Sequence, residues 1–338
     1  MNFDFTDDQH SIKATAKEFL ASRFKADKVR ELAEAGTYDD ALWREMTELG
    51  WAGIFIGEEH GGQGLGVVEL VILMEELGYA LAPSPFLSNA AAGLVIQHAG
   101  SDAQRERWLP GIASGEARGT VGVVTNGAAP LVPDADSAEV IVLVDGASAT
   151  LLEASAASTT HVDTIDSTRR FSRVETGSGE ALPGDAWGGV DRISTGLAAE
   201  LTGVSQRAME MAVEYARERK QFDRPIGVNQ AVSHRCAQML LEVEGARAAA
   251  YYAGWAADHE PETLALAASM AKSYASDAGF RVPASSLQVH GGIGFTWEHD
   301  LHFFLKRGRT DATLFGDSRF HRERVAELAA LAMTPAAA

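Results

Sequence analysis

Tyr215-Ala216-Arg217-Glu218-Arg219-Lys220-Gln221-Phe222-Asp223-Arg224-Pro225-Ile226-Gly227, followed closely by Gln230-Ala231-Val232, is the stretch that decides the fold of this chain. Upstream of it Leu197, Leu201, Val204, Ala208, Met211 and Tyr215 step by four and three, the period of one face of an α-helix. Downstream, Val232, Cys236, Met239, Leu240, Val243, Ala246 and Ala250 keep that period. Pro225 and Gly227 interrupt it, so the spacing predicts two long antiparallel helices joined by a short turn. A third helix is expected from about Pro261 towards Val289, with a kink or break at Pro283, where the ring removes an amide donor. A fourth, Arg319 to Met333, closes the chain.

Moving towards the N-terminus, the texture changes between about Gly119 and Trp187. Val140-Ile141-Val142-Leu143-Val144 is a short β-branched run bounded by Glu139 and Asp145-Gly146, the signature of a buried strand. Thr150 to Leu152 and Phe171 to Val174 are weaker strand candidates, and small residues fill the gaps. Before this region helices return: Asp7 to Phe24, Asp39 to Leu49 with Gly50 ending it, Val68 to Leu77, and Asp102 to Ile112. The expected fold is therefore mainly α with a small central β domain, arranged as helical residues 1–118, a β domain at 119–190 and a C-terminal helical bundle at 191–338.

Composition narrows the function. Asp and Glu outnumber Lys and Arg by 47 to 29, giving a net charge of -18 that disfavours a nucleic-acid partner, whose phosphates must be neutralised by clustered cations. Lys306, Arg307 and Arg309 form the one basic stripe of note, and it reads as a solvated helix end. The single cysteine, Cys236, allows neither an intrachain disulfide nor a Cys-based metal centre. The acidic start lacks the apolar core of a signal peptide, and the most apolar stretch, Leu70 to Ile96, is broken by Glu75, Glu76, Pro83 and Pro85. A cytoplasmic protein with no membrane partner is expected.

Glycine-rich segments need a separate decision. Glu58-Glu59-His60-Gly61-Gly62-Gln63-Gly64-Leu65-Gly66 precedes a helix, and such a loop can cradle a phosphate. No strand-helix-strand unit surrounds it and no Lys follows the last Gly, so a tight turn needing positive φ is the preferred reading. Leu287-Gln288-Val289-His290-Gly291-Gly292-Ile293-Gly294-Phe295-Thr296-Trp297-Glu298 ends the third helix, and its glycines either close that helix or admit a cofactor to the main chain. Arg219 has the same two readings, a solvated helix-terminal cation or a fork for phosphate oxygens. Tyr215, Phe222 and Phe295 are expected to pack rather than react.

Taken in order, these two motifs, the later Leu314-Phe315-Gly316-Asp317-Ser318-Arg319-Phe320-His321-Arg322, and Leu49-Gly50-Trp51, Glu75-Glu76-Leu77-Gly78 and Leu109-Pro110-Gly111 resemble the acyl-CoA dehydrogenases. The resemblance covers about residues 1–118 and 194–335. It implies FAD as cofactor, an acyl-CoA thioester as substrate, and electron-transferring flavoprotein as electron acceptor. The family's matching Arg, Phe and Gln reach a flavin held by a neighbouring subunit. Carried over, that makes Arg219, Gln221, Phe222, Gln230, Gln288, His290, Gly291, Gly292, Gly294 and Asp317 the expected cofactor-binding residues.

Two departures shape the expectation. Most of the family carries its proton-abstracting Glu just before the glycine of the third motif, where this chain has Phe315. A second family position, near Arg192-Ile193-Ser194, also lacks a carboxylate, which leaves Asp317 as a weak candidate base and as the expected N-cap of the last helix. The β region also runs quickly from Val123-Val124-Thr125-Asn126-Gly127-Ala128 into Val132-Pro133-Asp134, shorter than in full-length relatives. This combination resembles the short subunits of heteromeric, actinobacterial-type acyl-CoA dehydrogenases, which pair as α2β2 with a longer catalytic subunit and in several cases act on steroid CoA thioesters. The alternatives are a self-sufficient homo-oligomer using Asp317 or another carboxylate, and a flavin monooxygenase of the same fold.

Overall fold

A computed structural model describes residues 4–333. Eleven α-helices and nine short strands are found among them, the helix-rich architecture with a small sheet region expected from the sequence. The N-terminal helices are α1 (Asp7–Arg23), α2 (Ala26–Ala35), α3 (Asp40–Glu48), α4 (Val67–Ala80), α5 (Phe86–Ala99) and α6 (Asp102–Ser114). Their starts follow local chemistry. Thr6 with Gln9 and Ser101 with Gln104 form capping boxes, and Asp39 accepts from the amides of Ala41 and Leu42. The Glu58–Gly66 loop is a tight turn, with Gly61 at φ 80 and Gly64 at φ 63.

Seven strands follow: β1 (Gly119–Val123), β2 (Ala128–Pro133), β3 (Val140–Asp145), β4 (Ser148–Glu153), β5 (Thr159–His161), β6 (Phe171–Glu175) and β7 (Glu180–Leu182). They form one sheet of order β1-β3-β4-β7, in which β1 and β3 run parallel, and a second of order β2-β6-β5. Asn126 and Gly127, at φ 54 and 83, make the turn that carries the chain from the first sheet to the second. Ala129, Val132, Ile141, Leu143, Leu152 and Val174 interlock as the core here.

The C-terminal part contains α7 (Trp187–Glu218), the hairpin strands β8 (Lys220–Gln221) and β9 (Arg224–Pro225), then α8 (Gln230–His259), α9 (Leu264–His290), α10 (Leu301–Asp311) and α11 (Ser318–Met333). By compactness the chain divides into two units of mixed origin. One joins the start of the chain as far as Arg30, Val71–Ala82 and everything described from Thr195 onward, and the other joins Glu31–Leu70 with Pro83–Ser194. Within the first, α4 and α7 meet so closely that a Cβ on Gly203 would lie 1.9 Å from the carbonyl oxygen of Glu75, so only glycine fits. Glu75 itself is buried there. It accepts from Lys13 Nζ at 2.9 Å, Arg247 Nε at 2.8 Å and the Tyr251 hydroxyl, which ties α1 and α8 to α4.

Several expectations change. The Leu70–Ile96 stretch is two helices parted by Leu81–Pro85, and α5 within it is buried nearly all round, which removes the periodicity that would have marked it. Neither α2 nor α10 was anticipated. Pro283 does not break α9, which runs on to His290 with Val282, Pro283, Ser286 and Leu287 buried around the missing donor. The basic stripe is a solvated helix end only at Arg309, which is exposed in the last turn of α10. Arg307 is 1% exposed, with its Nη1 donating to Glu200 Oε1 at 2.7 Å, while Lys306 lies 4.7 Å from the Trp297 ring.

Candidate functional site

The hairpin between α7 and α8 is exposed along residues 217–224. Its main chain is fixed: Arg219 N–H donates to Tyr215 O at 2.8 Å, and Arg219 O accepts from Ile226 N–H at 2.8 Å. Phe222 and Asp223 occupy the turn at φ 52 and 63, the pair of left-handed conformations that a two-residue hairpin loop requires. Phe222 is 93% exposed and Phe295 71% exposed, so neither packs inside this chain as expected. The turn geometry aims Phe222 outward, and no described element covers it. Arg219 is exposed, and among the described residues its guanidinium has no acceptor.

One apolar cluster brings the hairpin together with the glycine motif. Ala212 and Ala216 of α7, Met239 and Val243 of α8, and Val282 and Val289 of α9 form it, with Ile226, Val232 and Cys236 packed alongside. The end of α7, the start of α8 and the end of α9 therefore share one foundation. Tyr215 stacks on His290 with ring centroids 4.6 Å apart, and His299 meets the same ring at 4.6 Å. His290 is buried and its Nδ1 lies 2.8 Å from Ser286 O, while burial lowers its pKa below the ordinary histidine value. Its ring is thus a neutral strut under the glycines.

Above that strut, Gly291 has φ 63 and ψ -140, a conformation essentially reserved for glycine. A Cβ at Gly291 or Gly292 would meet nothing within 4 Å, whereas one on Gly294 would sit 2.9 Å from His290 Cβ. Gly294 therefore serves packing within the chain, and Gly291 serves the backbone. Among the described residues nothing requires glycine at 292, where the main chain lies open to whatever approaches. Gln230 and Gln288 are exposed beside these segments, with their side-chain amides unpaired among the described residues, and the amide of Gln221 bonds locally to Lys220 O at 2.9 Å. Such an end can offer a cation, main-chain donors, amides and an aromatic face to a dinucleotide.

Asp317 lies elsewhere. It belongs to the turn between α10 and α11, no part of which enters the apolar cluster just described. Its Oδ1 accepts from Phe320 N–H at 2.9 Å, the N-cap geometry expected for it. Phe315 beside it is 6% exposed at φ 55, followed by Gly316 at φ 105. Sequence reading passed over Lys272, which proves to be fully buried beneath this turn. A signal existed: Lys272 interrupts the alanine stripe Ala267, Ala268, Ala271, Ala275 and Ala278 that marks the buried face of α9. Among the described residues no helix is long and apolar enough to cross a membrane.

Comparison with known proteins bears directly on this geometry. The N-terminal domain of acyl-CoA dehydrogenases matches residues 6–116, and the C-terminal domain of the same family matches 190–330. Acyl-CoA dehydrogenase IpdE2 of Mycolicibacterium smegmatis is 32% identical over 322 residues, 95% of this chain and 98% of that one. The chain belongs to the acyl-CoA dehydrogenase family. Its members are oxidoreductases. Among solved structures, the ChsE4-ChsE5 complex from Mycobacterium tuberculosis has a chain that superposes with a TM-score of 0.89 at 25% identity, covering 99% of this chain and all of that one. A variant of the Tcur3481-Tcur3483 steroid acyl-CoA dehydrogenase gives 0.86 at 26% identity, over 96% of this chain and 98% of that one.

Proposed function

We propose that this acyl-CoA dehydrogenase chain works as one subunit of a heteromeric enzyme, completing the FAD site of a longer catalytic partner. The observation that carries the reading is the contrast between an unpaired, exposed Arg219 beside open glycines and a base position filled by buried Phe315. A dinucleotide pyrophosphate is stabilised by a forked cation and by main-chain amides, and charge-assisted bonds of that kind are the strong ones. In this reading Arg219 holds phosphate, Gly291 and Gly292 let the main chain approach it, Gln221, Gln230 and Gln288 donate to or accept from polar edges, and Phe222 lies against an apolar ring. His290 and Gly294 set the position of that glycine turn, and Asp317 stands at its own turn as a further contact. When bound, FAD supplies a hydride acceptor for the β carbon of an acyl-CoA thioester.

The partner's carboxylate takes the α proton, because Phe315 cannot. The solved ChsE4-ChsE5 complex and the Tcur3481-Tcur3483 steroid enzyme are the neighbours that motivate a two-chain, α2β2 assembly and a bulky, steroid-type acyl group. Electron-transferring flavoprotein would take the electrons onward, and a cytoplasmic setting suits these partners. A homo-oligomer using Asp317 as base is disfavoured, since its carboxylate is already engaged as a helix cap. The test is to purify the chain alone and co-expressed with longer acyl-CoA dehydrogenases of its organism, measuring flavin absorbance per chain and dye reduction by an acyl-CoA. Flavin and activity are expected only in the co-expressed complex, and Arg219→Ala is expected to strip the flavin. A yellow, active protein from this chain alone overturns the reading.

A further inference from the structure

The turn between α10 and α11 is organised around a buried amine. Lys272 reaches from α9 and its Nζ donates to Ser276 Oγ at 3.0 Å, Ala312 O at 3.2 Å and Gly316 O at 3.0 Å. From α11 the ring of His321 meets Phe315 O at 3.1 Å, and Asp317 caps the helix that follows. Three carbonyls of the turn are thus held by side chains from two helices. The main chain between them has little freedom. Phe315 and Gly316 sit in succession at φ 55 and 105, and a Cβ on Gly316 would lie 2.4 Å from the Phe320 ring. A left-handed phenylalanine persists only where its surroundings over-determine it.

We propose that Lys272 is a positioning residue for the Phe315–Gly316 turn, fixing from beneath the main chain at which the family carries its proton acceptor. The link to the reacting group rests on the functional reading above, while the clamp itself rests on the contacts within this chain. Its charged surroundings are Asp311 on α10, Asp317 at the turn and His321 on α11, and Arg324 faces His321 in turn. Burial pushes the Lys272 amine down to about 7, with Asp311 and Asp317 pulling the other way.

The sign of the linkage follows. A closed turn holds the amine dry and lets its proton go near neutrality, the neutral amine keeping its two carbonyl acceptors and accepting from the Ser276 hydroxyl, whereas an opened turn wets it and restores the ordinary lysine value of 10.5. Between those limits the open form carries the extra proton, so closure strengthens as pH rises above neutrality and weakens as pH falls back towards 7. Below that, the effect is flat.

Hydrogen exchange on the intact chain tests this without reference to flavin or partner, so its outcome and that of the flavin experiment are separable. The opening constant of amides 314–321, corrected for intrinsic exchange, should fall about tenfold per pH unit from 7 to 9, the slope for one proton. Lys272→Met should abolish that slope, and the Gly61–Gly64 turn should show none in either protein. A wild-type opening constant that does not vary with pH overturns the proposal, and so does a folded Lys272→Met protein with the wild-type slope. If Lys272→Met does not fold, the wild-type profile measured against the Gly61–Gly64 turn decides alone.

Discussion

Two phenylalanines at nearly the same backbone angle meet opposite fates in this molecule. Phe222 at φ 52 stands in the hairpin after α7 with 93% of its surface exposed, and Phe315 at φ 55 stands in the turn before α11 with 6% exposed. Each left-handed conformation costs about 1–2 kcal/mol. At Phe315 the chain offsets that cost itself, through burial, Lys272, His321 and the Asp317 cap. At Phe222 the hairpin geometry imposes the angle and the side chain is left almost wholly to solvent. The same contrast holds for charge: Lys272 is surrounded by acceptors, and Arg219 has none among the described residues. A group fully satisfied inside its own chain explains itself, whereas an ordered group left open points to something outside.

Stability measurements should split the pair most widely. Phe315→Ala is expected to cost about 3–5 kcal/mol in chemical denaturation, as other buried aromatic truncations do, while Phe222→Ala stays within about 0.5 kcal/mol. Equal losses at the two positions would erase the comparison.

Arg219→Ala should behave as the reverse case, leaving the unfolding midpoint of the chain in place. In the co-expressed complex it should weaken flavin retention by about 2–3 kcal/mol, roughly 30- to 160-fold, the value of a charge-assisted contact. Flavin absorbance after gel filtration reads this directly, and full retention breaks the open half of the comparison.

The closed turn also has an acid signature. Burial first, and the nearby Lys272 charge second, push His321 down to about 3. Its folded form therefore binds fewer protons than the unfolded chain between that value and the ordinary 6.5. The stability it contributes is complete above pH 6.5 and lost as pH falls towards 3, with a slope of at most about 1.4 kcal/mol per pH unit. Urea titrations at pH 4, 5 and 7 on wild type and His321→Gln should show a shallower slope in the variant. The smallest effect belongs to the cap: Asp317→Ala should cost about 1 kcal/mol and Asp317→Asn much less. Turnover by the complex should survive Asp317→Asn, and its loss with the flavin retained would restore Asp317 as the base.

The helical periodicity of 197–215 and 232–250 was legible because those helices each bury one face, so apolar residues recur at the helical period. Helix α5 hid for the opposite reason, since a helix buried all round has no stripe to detect. Strands β1 and β2 carry Gly, Ala and Pro, which are poor strand formers, and β5 and β7 span only three residues each, too few to show an alternating pattern. At the candidate site the motifs were legible as words, but not whether Gly292 and Gly294 were glycine for the same purpose.

The sequence alone determined the fold class, the order of the motifs, the family resemblance and the presence of phenylalanine at position 315. These are matters of residue identity, period and spacing along one chain. Only the tertiary structure decided which side chains are satisfied: that Arg307 is buried against Glu200, that Lys272 lies under the 312–317 turn, and that Arg219 and Phe222 face outward. Satisfaction depends on partners 40 to 107 residues away in sequence, and local pattern carries no record of which distant group folding will bring within hydrogen-bond reach.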